Sequence, residues 1–165
     1  LMKNFTLNKV LTIPLIAYSF WLIFAYKYHF IDGANLIFHE AGHVIFMALG
    51  KTMSFLGGTL TQILIPLIFG IYFLRKKKLF EMCVMGVWLG ENFLDTVDYV
   101  ADAQKQALPL LGGPASTHDW NWILTKFNVL THAETIGTGF YILGASIVAI
   151  SATYAIRISF FTKED

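Results

Sequence analysis

Ile31-Asp32-Gly33-Ala34-Asn35-Leu36-Ile37-Phe38-His39-Glu40-Ala41-Gly42-His43-Val44-Ile45-Phe46-Met47-Ala48-Leu49 is apolar along most of its length, yet its middle reads His39-Glu40-Ala41-Gly42-His43. On a helix, residues four apart lie about one turn apart on one face. His39 and His43 can then grip one zinc ion, and Glu40 can act as general base toward a water that the ion activates. Two histidines and a glutamate are costly to bury in an apolar segment without a purpose, so the pattern predicts a metal site.

The composition says what surrounds it. Charged residues make up 14% of the 165 residues and hydrophobic ones 56%, with mean hydropathy +0.59. Soluble domains carry roughly 25% charged residues, so this is the composition of an integral membrane protein. A net charge of +1 gives no electrostatic basis for nucleic-acid binding. Cys83 is the single cysteine, which excludes an internal disulfide and a cysteine-rich zinc site.

Working outward from residues 31–49, hydropathy predicts an all-α fold. It is a single membrane-embedded bundle over 1–165, with about five transmembrane helices at 10–26, 31–49, 55–74, 79–103 and 136–158. The first run ends in Tyr26-Lys27-Tyr28-His29, an aromatic and basic border, and lacks the cleavage site of a signal peptide. Pro14 falls early in it, where a helix tolerates proline best. Asp32 or Asn35 can cap the second span, and Gly50 ends it. The third opens on Gly57-Gly58, followed by Thr59, Thr61 and Gln62. That stretch reads either as a re-entrant, cavity-lining segment that meets substrate or as a close helix–helix contact through glycine. Arg75-Lys76-Lys77-Lys78 predicts a cytoplasmic loop, in a plasma membrane of prokaryotic type.

In the fourth span Glu91, Asp95, Asp98 and Asp102 fall at i, i+4, i+7 and i+11, one narrow helical stripe. Basic partners are nearly absent from the spans, so these carboxylates are expected to face protein, water or metal. A loop containing Pro109, Gly112, Gly113 and Pro114 leads to His118-Asp119-Trp120-Asn121-Trp122. A short interfacial helix with Ile123, Leu124, Phe127 and Leu130 follows. Ala145 and Ala149 provide small-residue packing in the last span.

A hydrolytic zinc needs a third protein ligand and one open position. His43 and Glu91 both lie ~18 Å into their spans from the same side, and Asp95 ~24 Å. Glu91 or Asp95 is therefore the expected third ligand, with His118 as the alternative should its loop fold inward. Asp98, Asp102 and Asp119 are expected outside the coordination sphere, orienting a ligand or lining a water path.

The chain resembles zinc peptidases in two respects. His39-Glu40-x-x-His43 followed by Glu91-x-x-x-Asp95 looks like the gluzincin pattern. That resemblance implies a glutamate ligand and an aspartate that orients a ligand histidine. Placement within membrane helices resembles the site-2 protease class, whose third ligand is the aspartate of a Leu-Asp-Gly motif. Phe93-Leu94-Asp95-Thr96 matches the Leu-Asp part without the glycine, and Leu56-Gly57-Gly58-Thr59-Leu60-Thr61-Gln62 loosely matches that class's glycine-rich segment. The expectation is a zinc-dependent membrane-embedded peptidase acting on membrane or juxtamembrane peptides. The alternatives are a zinc-dependent lipid amide or ester hydrolase and a non-enzymatic subunit with a structural metal or a proton or ion path.

Overall fold

The computed structural model describes residues 2–111, 113 and 116–161. Gly112 and Pro114 of the predicted loop and the tail 162–165 lie outside the described residues. The described chain is all-α, with six helices: α1 Met2–Phe24, α2 Phe30–Phe46, α3 Lys51–Arg75, α4 Leu79–Ala101, α5 Asp119–Lys126 and α6 Ala133–Ile156. A 3-10 turn, Met47–Leu49, extends α2. Another, Leu130–His132, precedes α6, and a π-helical turn, Arg157–Phe161, follows it.

Among the described residues, three segments are long and apolar enough to cross a membrane: Leu7–Phe24, Lys51–Arg75 and Leu130–Phe161. The other two expected spans differ in kind. The helix α2 has only 17 residues, and α4 carries Glu81, Glu91, Asp95 and Asp98 among its 23. The first helix begins at Met2, well before Val10, so Pro14 sits inside it and not near its start.

The chain falls into two compact units. One gathers residues 1–27, 64–91 and 143–165, the other 28–63 and 92–142. The first unit is packed through small residues. Phe80, Cys83 and Ala155 form a buried cluster with Leu15 and Tyr154 against it, so Cys83 is a packing residue. Gly86 lies against Ser151, and Gly90 against Val148 and the Gly144 carbonyl, where a Cβ would overlap them. The expected Ala145/Ala149 contact is displaced by one residue: Gly144 and Val148 are buried and Ala149 is exposed. Thr12 Oγ1 donates to Ser159 Oγ at 2.8 Å.

In the second unit, α2 is built the other way out. The buried residues of α2 are Asp32, Asn35, His39 and Gly42, whereas Ile37, Val44 and Ile45 are 64–69% exposed. A water-soluble helix buries its apolar stripe; this one buries its polar stripe, as helices surrounded by lipid do. Asp32 caps α2, its carboxylate accepting from the His29 backbone N–H at 2.5 Å. Gly50, at φ +94°, ends the 3-10 turn in a conformation that L side chains rarely adopt.

The helix α3 runs unbroken through Gly57 and Gly58. The re-entrant alternative is therefore not formed, and the glycines serve close packing. A Cβ on Gly42 would overlap the Gly57 carbonyl and the Thr61 hydroxyl, and one on Gly58 would overlap the His39 ring. An apolar cluster of Val100, Ala103, Trp120, Ile123, Leu124 and Ala133 seats α5 in this unit, so the segment after the 104–117 loop is folded in and does not lie loose at the surface.

Candidate metal centre

Each of the two histidines uses its Nδ1 to hold on to the protein. His39 Nδ1 lies 2.6 Å from Gln62 Oε1, and His43 Nδ1 lies 2.8 Å from the Ser54 carbonyl oxygen. Both partners are acceptors, so each Nδ1 carries the proton and donates. The Gln62 orientation is fixed in turn, because its Nε2 donates to Asp95 Oδ2 at 3.0 Å and a carboxylate only accepts. Ser54 Oγ donates back to the His43 carbonyl at 3.1 Å, which closes a reciprocal pair between α2 and α3.

In the neutral tautomer that remains, each Nε2 is a bare lone pair. Both point at one atom: Asp119 Oδ2 lies 3.0 Å from His39 Nε2 and 3.3 Å from His43 Nε2. Two lone pairs and a carboxylate oxygen, His39 and Asp119 being buried and His43 half-buried, repel one another unless a cation lies among them. Protons on the rings would serve, and so would a metal ion. The donor set suits zinc: two imidazoles and one carboxylate with atoms within 4.8 Å of one another. It also shows the arrangement that metal-binding histidines require, the non-coordinating nitrogen being held by an acceptor.

Asp119 is positioned by Tyr99. The phenol donates to Asp119 Oδ2 at 3.0 Å and accepts from the Asp119 backbone N–H at 3.1 Å. With protons on the ring nitrogens in the place of a metal, burial acts to raise the Asp119 carboxyl from its ordinary 3.8, but hydrogen bonds from His39 and His43 outweigh it and hold the group at about 2. It is a carboxylate at any physiological pH.

His39 and His43 come together as predicted. The carboxylate beside them is Asp119, in place of Glu91 or Asp95. Asp95 reaches His39 only through Gln62, and Glu91 is fully buried in the first unit. His118 does fold inward, yet it serves α5. Its Nδ1 accepts from the Asn121 backbone N–H at 3.3 Å, its ring stacks on Tyr99 at 4.3 Å, and its Nε2 faces Asp102 Oδ2 at 3.7 Å. Burial lowers its pKa from 6.5 against the pull of Asp102 and Asp119. Asp102 caps the loop, accepting from the backbone N–H groups of Ala107 and Leu108 at 2.9 Å each. The predicted acidic stripe thus divides: Asp98 is exposed on α4, and Asp102 lies in the turn after Ala101, where α4 ends. Gly57 and Gly58 are packing contacts, and Gln62 is a partner of the histidine.

Glu40 is exposed, in the turn between the two histidines. Tyr99 was not evident from the sequence, since a tyrosine in an apolar helix suggests packing. The signal for Asp119 was its place at the head of a short amphipathic helix after a glycine- and proline-containing loop. No protein-family model, curated protein or solved structure matches the chain.

Proposed function

We propose that the chain is a zinc-dependent hydrolase embedded in the membrane, a peptidase in its first reading. The observation that carries this is the convergence of the His39 and His43 Nε2 lone pairs on Asp119 Oδ2, with both Nδ1 atoms committed elsewhere. His39, His43 and Asp119 would hold the ion. Three protein donors leave one of zinc's four usual positions open, the mark of a hydrolytic site as against a structural one. When bound, zinc supplies Lewis-acid polarisation of a carbonyl and lowers the pKa of a water toward ~7. Glu40 takes a proton from the attacking water as the new C–O bond forms, and returns it to the departing nitrogen as the C–N bond breaks. Tyr99 holds Asp119 in place throughout.

We propose five membrane crossings, α2 and α4 in addition to the three apolar spans. The polar-in, apolar-out build of α2 supports this, and with its 3-10 turn it is about 30 Å long, the thickness of a bilayer core. The loop 75–78 would be cytoplasmic.

A second reading keeps the metal and changes the substrate to a lipid amide or ester. Two features favour it: α3 is helical through Gly57, so it offers no backbone edge for strand addition there, and Glu40 is exposed on the helix that presents Ile37 and Val44 outward.

The test uses purified full-length protein in vesicles, with membrane-anchored peptide reporters and N-acyl lipid reporters. Glu40→Gln is expected to keep its zinc and lose about 10²- to 10⁴-fold in hydrolysis. Which reporter is cleaved decides between the two readings. Wild-type protein that binds zinc and cleaves neither class would overturn both.

A further inference from the structure

We propose that Gln62 is a positioning residue whose amide, oriented by Asp95, selects the His39 tautomer able to bind metal. The proposal rests on reading His39, His43 and Asp119 as metal-binding.

The two histidines are held by partners of different kinds. His43 donates to a main-chain carbonyl, which can only accept. His39 meets a side-chain amide, which has an accepting end and a donating end. With the amide reversed, its NH₂ would face Nδ1. That nitrogen would then have to accept, the proton would move to Nε2, and the lone pair aimed at Asp119 would be gone. Gln62 is 4% exposed and His39 6%, so bulk water offers little substitute partner. The choice between the two orientations falls to Asp95, whose Oδ2 accepts from the Gln62 NH₂ at 3.0 Å. A signal of hydrogen-bond polarity thus passes from α4 through α3 to the metal-facing atom on α2. Gly58 adds a steric condition: with no Cβ there, the His39 ring lies close over α3, within reach of Gln62.

The experiment measures zinc affinity of the full-length protein in detergent by competition with a chromophoric chelator, and the His39 tautomer in metal-free protein by ring-¹⁵N NMR. Gln62→Leu removes the acceptor, and Asp95→Leu removes the group that orients it. Each is expected to weaken zinc binding by about 10- to 100-fold and to lower the share of His39 rings that carry a proton on Nδ1. The decisive variant is Asp95→Leu combined with Gln62→Glu. A carboxylate accepts through either oxygen and has no wrong orientation, so the double variant is expected to recover the affinity that Asp95→Leu loses. Simple damage to packing would not be repaired this way. Wild-type affinity in both leucine variants, or a double variant no tighter than Asp95→Leu, overturns the proposal and leaves the metal site standing. Wild-type protein without zinc overturns both.

Discussion

Tyr99 touches Asp119 twice, once through the side chain and once through the backbone N–H. Tyr99→Phe removes both bonds without removing the ring. It leaves a half-buried N–H without its partner, at about 1–3 kcal/mol, and lets the carboxylate turn. Chelator competition is expected to show zinc affinity lower by about 10- to 100-fold, with the helix content unchanged by circular dichroism. His118→Ala makes a useful contrast. Its imidazole stacks on Tyr99 and caps α5 at Asn121, and it ligates nothing in this arrangement. Losing the cap is expected to destabilise by about 0.5–2 kcal/mol, read as a lower thermal midpoint, while one zinc per chain is retained. Loss of zinc from a folded His118→Ala protein would mean that His118, and not its neighbour, belongs to the site.

Among the elements, the crossing of α2 and α3 is the most sensitive to a single methyl group. Gly42→Ala would push a Cβ into the Gly57 carbonyl, which is backbone and cannot yield alone. Overpacking of this kind costs about 1–3 kcal/mol, and thermal unfolding is expected at a lower midpoint. Gly58→Ala meets the His39 ring instead. Its larger effect is expected on zinc affinity, because the ring is fixed at Nδ1 by Gln62 and any shift turns Nε2 away from Asp119. The sequence disclosed this level unevenly. His39-Glu40-x-x-His43 was legible because a helical pair depends only on local spacing. The acidic residues of α4 were legible as a stripe, but a period of 3.6 does not say what the stripe faces. Glu91 is buried, Asp95 turns to Gln62, and Asp98 is exposed. Gly57-Gly58 fitted two readings, since glycine permits both a broken helix and a tight one. Asp119 was hidden for another reason. Its place depends on the path of residues 104–117, which have no periodicity to read, and on Tyr99, which contacts it only once that loop has folded back.

At the scale of the whole molecule, the outward apolar face of α2 and the three apolar spans together define a testable topology. Cys83 is the single cysteine and is buried, so a Cys83→Ala background gives a clean start for labelling. Cysteine placed at Lys77 is expected to react only with reagent on the cytoplasmic side, and cysteine at Gln106 only from the opposite side, if α4 crosses the membrane. Labelling of both from one side would mean that α4, with its acidic residues, does not cross. The all-α class and the three helices long and apolar enough to cross a membrane were readable from the hydropathy runs. The division into two units was not, because α3, α4 and α6 each contribute residues to both, and no change of composition marks the boundary.

The central claim is that His39, His43 and Asp119 hold one metal ion. Metal analysis of the purified full-length protein tests it most directly, with Asp119→Ala compared against Asp95→Ala and Glu91→Ala. One zinc per chain is expected in wild type, none in Asp119→Ala, and zinc still bound, though more weakly, in Asp95→Ala. Zinc retained at full stoichiometry in Asp119→Ala and lost in Asp95→Ala or Glu91→Ala would contradict it.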